Sequence, residues 1–491
     1  MKQKELLVHR LREYGTSDRY PFHMPGHKRR EIEEFFNPFQ LDITEIEGFD
    51  NLHYPEGILK ESMEWAADLY GADKTYYLIN GSSCGLLAAI CGTVRKGGRI
   101  LVSRNCHKAA YHGIFLQQLR PAYVYPQEID GLGIQGGILP EDVEKILDKY
   151  TDIQAVLIVS PTYDGIVSDV EGIGKVTHKV GIPLIVDEAH GAHFRFGREF
   201  PVSALELGAD IVIQSVHKTL PSLTQTALLH IKRNGSEGGS YVDIDQISRY
   251  LHIYQSSSPS YLLLASIENS IFQMDRMNTE LFMGMLGKLR EDLGNMRRLR
   301  LVTEELRGRF GVFDLDCTKI VVSTVGSGVN GSWLERKLRD KYHLEMEMCG
   351  ADYVTAITTV MDKREGFERL GAALKEIDES LIAGEDFIGT GEETDDIAQE
   401  SRCIYSRSND IVMTISEAMD GGWKTVALKE SAGAVSGEFV YIYPPGIPVL
   451  APGERIDSET LKVILLYIDR KLPVQGLADQ SLKTIRVVDK G

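Results

Sequence analysis

Seven short apolar runs, separated by amphipathic stretches, lie between residues 75 and 231 and constrain the fold more than any other feature. The runs are TYYLIN (75–80), RILVS (99–103), PAYVY (121–125), AVLIVS (155–160), PLIVD (183–187), DIVIQS (210–215) and TALLHI (226–231). They do not alternate with polar residues, which is typical of strands buried on both faces of a parallel sheet. Helical patterns such as EDVEKILDKY (141–150) fill most gaps, as parallel crossovers require. The sequence therefore predicts an α/β fold with a mainly parallel seven-stranded sheet, in which one of the closely spaced last two strands can be antiparallel.

The rest of the chain predicts smaller units around this sheet. Residues 281–310 have the pattern of one long amphipathic helix, and strand-like runs such as KIVVS (319–323) then alternate with helical patterns. An acidic, Gly-containing stretch that is poor in apolar residues predicts a linker. The predicted units are an N-terminal segment (1–60), a large domain (61–275), a small α/β domain (276–383), an acidic linker (384–402) and a C-terminal domain (403–491).

Composition narrows the possible partners. Asp and Glu total 71 and Lys and Arg total 54, so the formal net charge is −17, which argues against a nucleic-acid binder with a basic face. No apolar run approaches the roughly 20 residues that span a bilayer. The charged N-terminal stretch lacks the apolar core of a secretory signal, and the six cysteines form no CxxC pair. We therefore expect a cytoplasmic protein with reduced thiols that binds neither nucleic acid nor membrane.

Four polar motifs stand at or beside ends of the predicted strands, where ligands bind in doubly wound sheets. They are NGSSCG (80–85), RNCHKAAY (104–111), VDEAHG (186–191) and QSVHKTL (214–220). The first places hydroxyls and free N–H groups at a helix start, which suits an anion, although a capped helix has the same pattern. The second places His107 just after a strand, where a structural role is the more common one. These motifs predict one ligand site at this edge of the sheet.

The other two motifs supply a carboxylate and an amine. Asp187 at a buried strand end needs a cationic or hydrogen-bonding partner, and Lys218 beside an anion site is a candidate for covalent bonding to a carbonyl group. VDEAHG also fits the DEAH box of an ATPase, but that class requires a P-loop, and the chain has no GxxxxGK[ST]. A phosphate cradle, a flat stacking residue, a buried Asp and a reactive Lys are together what pyridoxal phosphate requires.

Two patterns match known binding motifs but are not interpreted as binding sites. GLGIQG (131–136) satisfies GxGxxG but follows polar PQEID instead of a strand, so it predicts a surface turn and not a dinucleotide loop. The histidine pairs in HMPGH (23–27) and HGAH (190–193) have no third ligand at a recognisable spacing, so no zinc site is predicted.

Nine motifs occur in one order between residues 21 and 454. They are PFHMPGHK (21–28), DNLHYPEGIL (50–59), NGSSCG (80–85), RNCHKAAY (104–111), SPTYDGIVSD (160–169), VDEAHGAHF (186–194), QSVHKTLPSLTQ (214–225), SSSPSYLLLAS (256–266) and YPPGIPVLAPGE (443–454). In this set the chain resembles the Orn/Lys/Arg decarboxylases of the aspartate-aminotransferase fold, and it is especially similar to the short bacterial arginine/lysine decarboxylases. The match thins between about residues 280 and 400.

The resemblance implies a role for each motif. Lys218 would hold the cofactor covalently, Asp187 would pair with its ring nitrogen, and His107 would stack on its ring. The remaining implied cofactor contacts are Ser82, Ser83, Ser215 and His217 on the phosphate, Ala189 against the ring, and Ser257 and Ser258 on the phosphate of a neighbouring subunit. The active site would then belong to a homodimer or a higher assembly of dimers.

The chain departs from the family pattern at three places. The cradle reads GSSCG where a Ser-Thr pair is common, and the stacking motif reads HKAA where HKS is usual. Asp164 stands where the family often has an aromatic residue. None of these changes removes a group that the chemistry needs, but Asp164 can alter the choice of substrate.

The expected activity is pyridoxal-phosphate-dependent decarboxylation of arginine, lysine or ornithine. Aminotransfer on the same fold is the first alternative, and a DEAH-type ATPase is a remote one. His217 or Lys218 could return the proton to the α-carbon. Glu438 or Glu454, beside the stiff YPPGIP turn (443–448), could meet the distal cation of the substrate, with Glu438 favoured. A structural turn that anchors the C-terminal domain explains the same residues equally well.

Overall fold

A computed structural model describes residues 16–30, 38–129, 131–235, 239–384, 409–442, 446–469 and 473–489. Its strands are β1 (Tyr20–Phe22), β2 (Lys74–Leu78), β3 (Arg99–Ser103), β4 (Arg120–Val124), β5 (Ile153–Val159), β6 (Ile166–Val167), β7 (Leu184–Asp187), β8 (Ile211–Gln214), β9 (Ala227–Ile231), β10 (Arg300–Leu301), β11 (Asp314–Leu315), β12 (Lys319–Ser323), β13 (Leu344–Met346), β14 (Met348–Cys349), β15 (Tyr353–Ile357), β16 (Trp423–Ala427), β17 (Val440–Ile442), β18 (Ile447–Leu450), β19 (Val474–Gln475) and β20 (Thr484–Val488). Its helices are α1 (Pro38–Leu41), α2 (Ile58–Tyr70), α3 (Gly81–Thr93), α4 (Lys108–Leu116), α5 (Pro140–Lys149), α6 (Val170–Lys179), α7 (Val216–Thr219), α8 (Ile244–Tyr254), α9 (Tyr261–Arg276), α10 (Glu280–Leu293), α11 (Gly331–Tyr342), α12 (Arg364–Ala383), α13 (Ile415–Asp420) and α14 (Ser458–Asp469).

The predicted seven-stranded sheet is confirmed. Its strand order is β2-β9-β8-β7-β5-β3-β4, and the pairings from β8 to β4 are parallel. β9 runs antiparallel to both β2 and β8, which confirms the expectation for the last two apolar runs. The short connection from β8 to β9 has no room for a parallel crossover, so the chain turns back directly.

Both faces of this sheet are covered, which explains the continuous apolar runs. In β7, Leu184 and Val186 belong to one buried cluster, whereas Ile185 belongs to the cluster on the opposite face. All four residues of β7 are buried. Because successive side chains point to opposite faces, every strand position has to be apolar, and the usual polar alternation disappears.

A second sheet forms beyond the large one, with the order β10-β12-β15-β14 and antiparallel pairing throughout. The predicted helix over 281–310 is wrong, because α10 ends at Leu293. The carboxylate of Asp378, in α12, accepts the backbone N–H groups of Arg297, Arg298 and Leu299 at 2.8–2.9 Å. These bonds take N–H groups that a continuing helix would use, so the chain bends and enters β10.

The C-terminal residues form a smaller unit with β18-β17-β19 and β16-β20 sheets. The predicted domain boundaries stay predictions, and all of the linker except Gly384 lies outside the described residues. No helix within the described ranges combines the length and apolar character needed to cross a bilayer.

A buried ion pair joins the C-terminal unit to the large sheet. Arg104, directly after β3, and Glu454 are held by two contacts of 2.9 Å, and both side chains are about 3% exposed or less. The Glu454 carboxylate also accepts from the Asn409 side chain and the Ala451 N–H at 2.9 Å. The pair therefore connects the two units at the end of the strand that leads into RNCHKAAY.

We expect Glu454→Gln to lower the thermal midpoint markedly, because it leaves the Arg104 charge buried without a counter-charge. Breaking such a pair costs about 3–5 kcal/mol, whereas an exposed pair is worth about 0–1 kcal/mol. The matched control is Asp410→Asn, which removes the exposed Arg455–Asp410 pair. Equal midpoints for the two variants would contradict the role given to Glu454.

Candidate active site

The four strand-end motifs meet in one cavity of about 350 Å³. β7 ends at Asp187, and β8 leads through Ser215 into α7, which carries His217 and Lys218. The expected residues that line the cavity are Ser82, Ser83, His107, Asp187, Ala189, Ser215, His217 and Lys218. The parallel order of β3, β5, β7 and β8 brings these residues together, because it places all four carboxyl ends at one edge.

The start of α3 has the features of an anion site. Gly81 has a φ of +74°, which allows the tight turn from β2 into the helix. The N-cap residue Asn80 makes no side-chain cap, because its amide oxygen accepts the N–H of Ser256 at 3.3 Å. No acidic residue occupies the first turn, and Ser215 Oγ donates to Ser82 Oγ at 2.9 Å. Free N–H groups and paired hydroxyls at a helix start suit a phosphate.

Lys218 is a half-buried amine that lines the cavity. Its Nζ lies 2.9 Å from His190 Nε2 and 5.7 Å from the centroid of the Tyr163 ring. Burial lowers the pKa of the Lys218 ammonium, although the negative charge of Asp187 opposes the shift. A lowered pKa increases the share of neutral amine, which is the form that attacks a carbonyl group.

Asp187 is a buried carboxyl group that lines the same cavity as Lys218. It is 4% exposed, and it accepts the N–H of Ala189 at 3.2 Å. Burial raises the pKa of Asp187, while the charge of Lys218 opposes the shift. A protonated ring nitrogen placed against Asp187 would supply the positive partner that a buried carboxylate needs.

The two expected histidines are both neutral. His107 caps α4, with Nδ1 accepting the N–H of Ala109 at 3.2 Å, and burial lowers its pKa to about 3. His217 Nδ1 lies 2.9 Å from the carbonyl of Thr226, so this nitrogen carries the hydrogen and donates it. Burial lowers the pKa of His217 to about 4, which leaves its Nε2 without a proton at neutral pH.

Sequence reasoning missed several residues of the cavity. His190 was weighed only as half of a metal pair, yet it contacts Lys218 and lines the cavity with Asn105 and Tyr163. Its position three residues beyond Asp187, after a buried strand, was the available signal. The GLGIQG turn is a second correction, because it is not merely a surface feature: Gly133 and its neighbours line the cavity.

The C-terminal unit forms part of the cavity wall through Ile442, Ile447 and Tyr467. Glu438, which was favoured for the substrate, is not among the lining residues. Its carboxylate accepts the backbone N–H groups of Ala478 at 2.9 Å and Arg486 at 2.8 Å. Both glutamates considered for the substrate's distal cation therefore have structural contacts. Glu438 binds backbone N–H groups of its own unit, and Glu454 pairs with Arg104.

Ser257 and Ser258 are exposed and do not line the cavity of this chain. Their loop lies beside the phosphate cradle, because the N–H of Ser256 donates to Asn80. The YPPGIP turn is only partly described, since residues 443–445 lie outside the described ranges.

The cavity fits pyridoxal phosphate in two respects: the residues that line it, and the buried polar atoms there that have no hydrogen-bond partner. Asn105 Oδ1 and His190 Nδ1 are buried at the cavity, and neither has a hydrogen-bond partner among the described residues. Unpaired buried polar atoms are costly, so a polar ligand would stabilise them. The helix start, the neutral His107 ring, Asp187 and Lys218 match the phosphate, ring face, ring nitrogen and aldehyde of this cofactor.

Comparisons with known proteins agree with this geometry. The family model for the Orn/Lys/Arg decarboxylase major domain matches residues 6–299, and the model for the C-terminal domain of the same enzymes matches residues 399–471. An arginine decarboxylase of Bacillus subtilis is 32% identical over 97% of this chain and 96% of its own length. The constitutive lysine decarboxylase of Escherichia coli is 23% identical over 92% of this chain and 75% of its own length.

A solved structure shows the same fold. Lysine decarboxylase A from Pseudomonas aeruginosa superposes with a TM-score of 0.77 at 20% identity, covering 98% of this chain and 80% of that one. The family match favours decarboxylation over the alternatives of aminotransfer and ATP hydrolysis. The chain therefore belongs to the Orn/Lys/Arg decarboxylase family, and it is a pyridoxal-phosphate-dependent decarboxylase of a basic amino acid.

Proposed function

We propose that the substrate is L-arginine and that the reaction depends on Lys218, Asp187 and His107 as arranged in the cavity. The observation that carries the proposal is the meeting of these residues with the α3 phosphate cradle in one cavity. Arginine is preferred because the arginine decarboxylase of Bacillus subtilis matches over nearly its whole length, whereas the lysine decarboxylase of Escherichia coli matches over 75% of its length.

The cofactor, when bound, supplies a ring that accepts the electron pair released as CO2 leaves the α-carbon. Asp187 would keep the ring nitrogen protonated and so favour that transfer of charge. His107 would hold the ring plane by stacking, which its neutral state permits without a charge to desolvate. Ser82, Ser215 and the N–H groups of α3 would fix the phosphate and thereby the orientation of the ring.

The structure also favours one proton donor over the other. After CO2 leaves, the α-carbon must receive a proton. Neutral His217 already donates its Nδ1 hydrogen to the Thr226 carbonyl and has no proton on Nε2. Lys218 lines the cavity, and its ammonium form can give a proton to the α-carbon and remain as the neutral amine. We therefore assign the proton transfer to Lys218 Nζ and leave His217 the task of supporting α7.

The experiment that tests the substrate measures CO2 and amine release from arginine, lysine and ornithine, each supplied separately with pyridoxal phosphate. We expect kcat/KM to be highest for arginine, with agmatine and CO2 released in equal amounts. A higher kcat/KM for lysine or ornithine would overturn the choice of arginine. Keto-acid formation without CO2 would overturn decarboxylation itself.

We also propose that the working enzyme is a homodimer, or an assembly of dimers, with shared active sites. The Ser256–Ser258 loop is exposed next to the cradle. Two large apolar side chains are exposed near it: Ile253, in α8, and Tyr54, whose ring packs against His252. Tyr54 is 71% exposed and Ile253 is 61% exposed, and an apolar patch of this kind marks an interaction surface. His53 connects the segment around Tyr54 to this loop, because it contacts both the His252 ring and the Ser256 carbonyl oxygen.

We expect mixing two inactive proteins to restore activity if sites are shared. One protein carries Lys218→Ala, and the other carries Ser257→Ala together with Ser258→Ala. A mixed dimer then contains one site with both sets of groups intact, so part of the wild-type rate returns after subunit exchange. The control is each variant mixed with itself, and an active monomer in sedimentation analysis would contradict the proposal.

A further inference from the structure

Asp164 is a buried carboxyl group of the cavity that the proposed chemistry leaves without a role. It follows Tyr163 in the loop after β5, and it is 8% exposed. Two hydroxyl groups of β15 donate to it: Thr355 Oγ1 at 3.2 Å and Tyr353 OH at 3.4 Å. No Lys, Arg or His of the described chain lies within ion-pair distance of it.

Three other buried carboxylates of this protein, Asp316, Glu454 and Glu188, have cations or several donors. Asp316 pairs with Lys319 at 2.8 Å, and Glu454 pairs with Arg104. Glu188 accepts from the N–H of Ala204 and two side chains, and it faces away from the cavity lining. Asp164 has hydroxyl donors alone, and burial raises its pKa to about 7. A carboxylate in this setting gains most from a cation that arrives with the substrate.

The position of Asp164 relative to the reacting groups suits this task. The neighbouring Tyr163 ring lies 4.4 Å from the ring of His190 and 5.7 Å from Lys218 Nζ, measured from the Tyr163 ring centroid. Asp164 follows Tyr163 directly and lines the same cavity as Lys218. A basic amino acid carries its cation at the far end of a three- or four-carbon side chain, so its α-carbon and its charge must be recognised at separate places in the cavity.

We propose that the Asp164 carboxylate recognises the distal cation of the substrate, and that Tyr353 and Thr355 hold it in place. This inference rests on the proposed function, because it concerns the substrate of the same site. It makes Asp164 a specificity residue and assigns the small domain a part in recognition, since β15 supplies both hydroxyl groups.

Two further carboxylates line the cavity and are rival candidates for the distal cation. Glu128 is exposed and Asp352 is half-buried, and each has further interactions in the chain. Contacts between exposed charges contribute less than buried ones, because water screens them. Asp352→Asn and Glu128→Gln remove the same kind of charge at the same cavity without touching Asp164.

The test compares recognition of a charged and an uncharged side chain. Steady-state kinetics of Asp164→Asn with the best basic substrate should show KM raised roughly 10- to 100-fold, as the loss of a charge-assisted contact predicts. kcat should change much less if the contact forms equally in the ground and transition states. The inhibition constant of norleucine, which lacks the cation, should change less than about threefold. A larger rise in KM for Asp352→Asn or Glu128→Gln than for Asp164→Asn would overturn the choice of Asp164.

A variant of the supporting hydroxyl keeps the test decisive if Asp164→Asn does not fold. Folding and cofactor loading are checked by the thermal midpoint and the visible absorbance of the bound cofactor. Thr355→Val leaves the carboxylate in place but removes one donor, so we expect KM for the basic substrate to rise severalfold while the norleucine constant stays unchanged.

The outcomes that overturn the inference are separate from those that overturn the function. An unchanged KM in a folded, loaded Asp164→Asn protein would refute the role of Asp164. An equal rise in the KM of the basic substrate and in the inhibition constant of norleucine, in either variant, would also refute it. That pattern would indicate that Asp164 only links its loop to β15. If the wild-type protein releases no CO2 from any basic amino acid, the proposed function itself has failed.

Discussion

The candidate active site depends on two groups of opposite charge that line one cavity, the half-buried amine of Lys218 and the buried carboxyl of Asp187. Burial disfavours the charged form of both groups, and each partly compensates the other. This balance keeps an amine available for a carbonyl group and a carboxyl available for a ring nitrogen. Neither group would reach this state on the surface, so the chemistry depends on the cover that the fold provides.

The sheet and its neighbouring units supply that cover. β7 and β8 are adjacent and parallel, which places the Asp187 strand end beside the start of the Lys218 helix. The small domain closes one side through Tyr353, and the C-terminal unit closes another through Ile442 and Tyr467. The Arg104–Glu454 pair holds the C-terminal unit against the end of β3, so a contact that touches no reactant still supports the cavity.

The sequence could predict the sheet and most of the residues that line the cavity because both are encoded locally. Apolar runs mark buried strands, and the polar residues that follow them mark the carboxyl edge, as Asp187 and Lys218 illustrate. The rest depends on contacts between distant segments. The helix predicted over 281–310 ends at Leu293, because the Asp378 carboxylate binds backbone N–H groups that follow it. Glu438 does not line the cavity, because its carboxylate binds the backbone N–H groups of Ala478 and Arg486. No local sequence pattern predicts hydrogen-bond partners that are this distant along the chain.

We propose that Lys218 binds the cofactor covalently within this cavity. Borohydride reduction of the cofactor-loaded protein, followed by proteolysis and peptide mass mapping, identifies the lysine that holds the cofactor. We expect the reduced cofactor to be attached to Lys218 and the Lys218→Ala protein to carry no label. Attachment to a different lysine, or full labelling of the Lys218→Ala protein, would refute the role of Lys218.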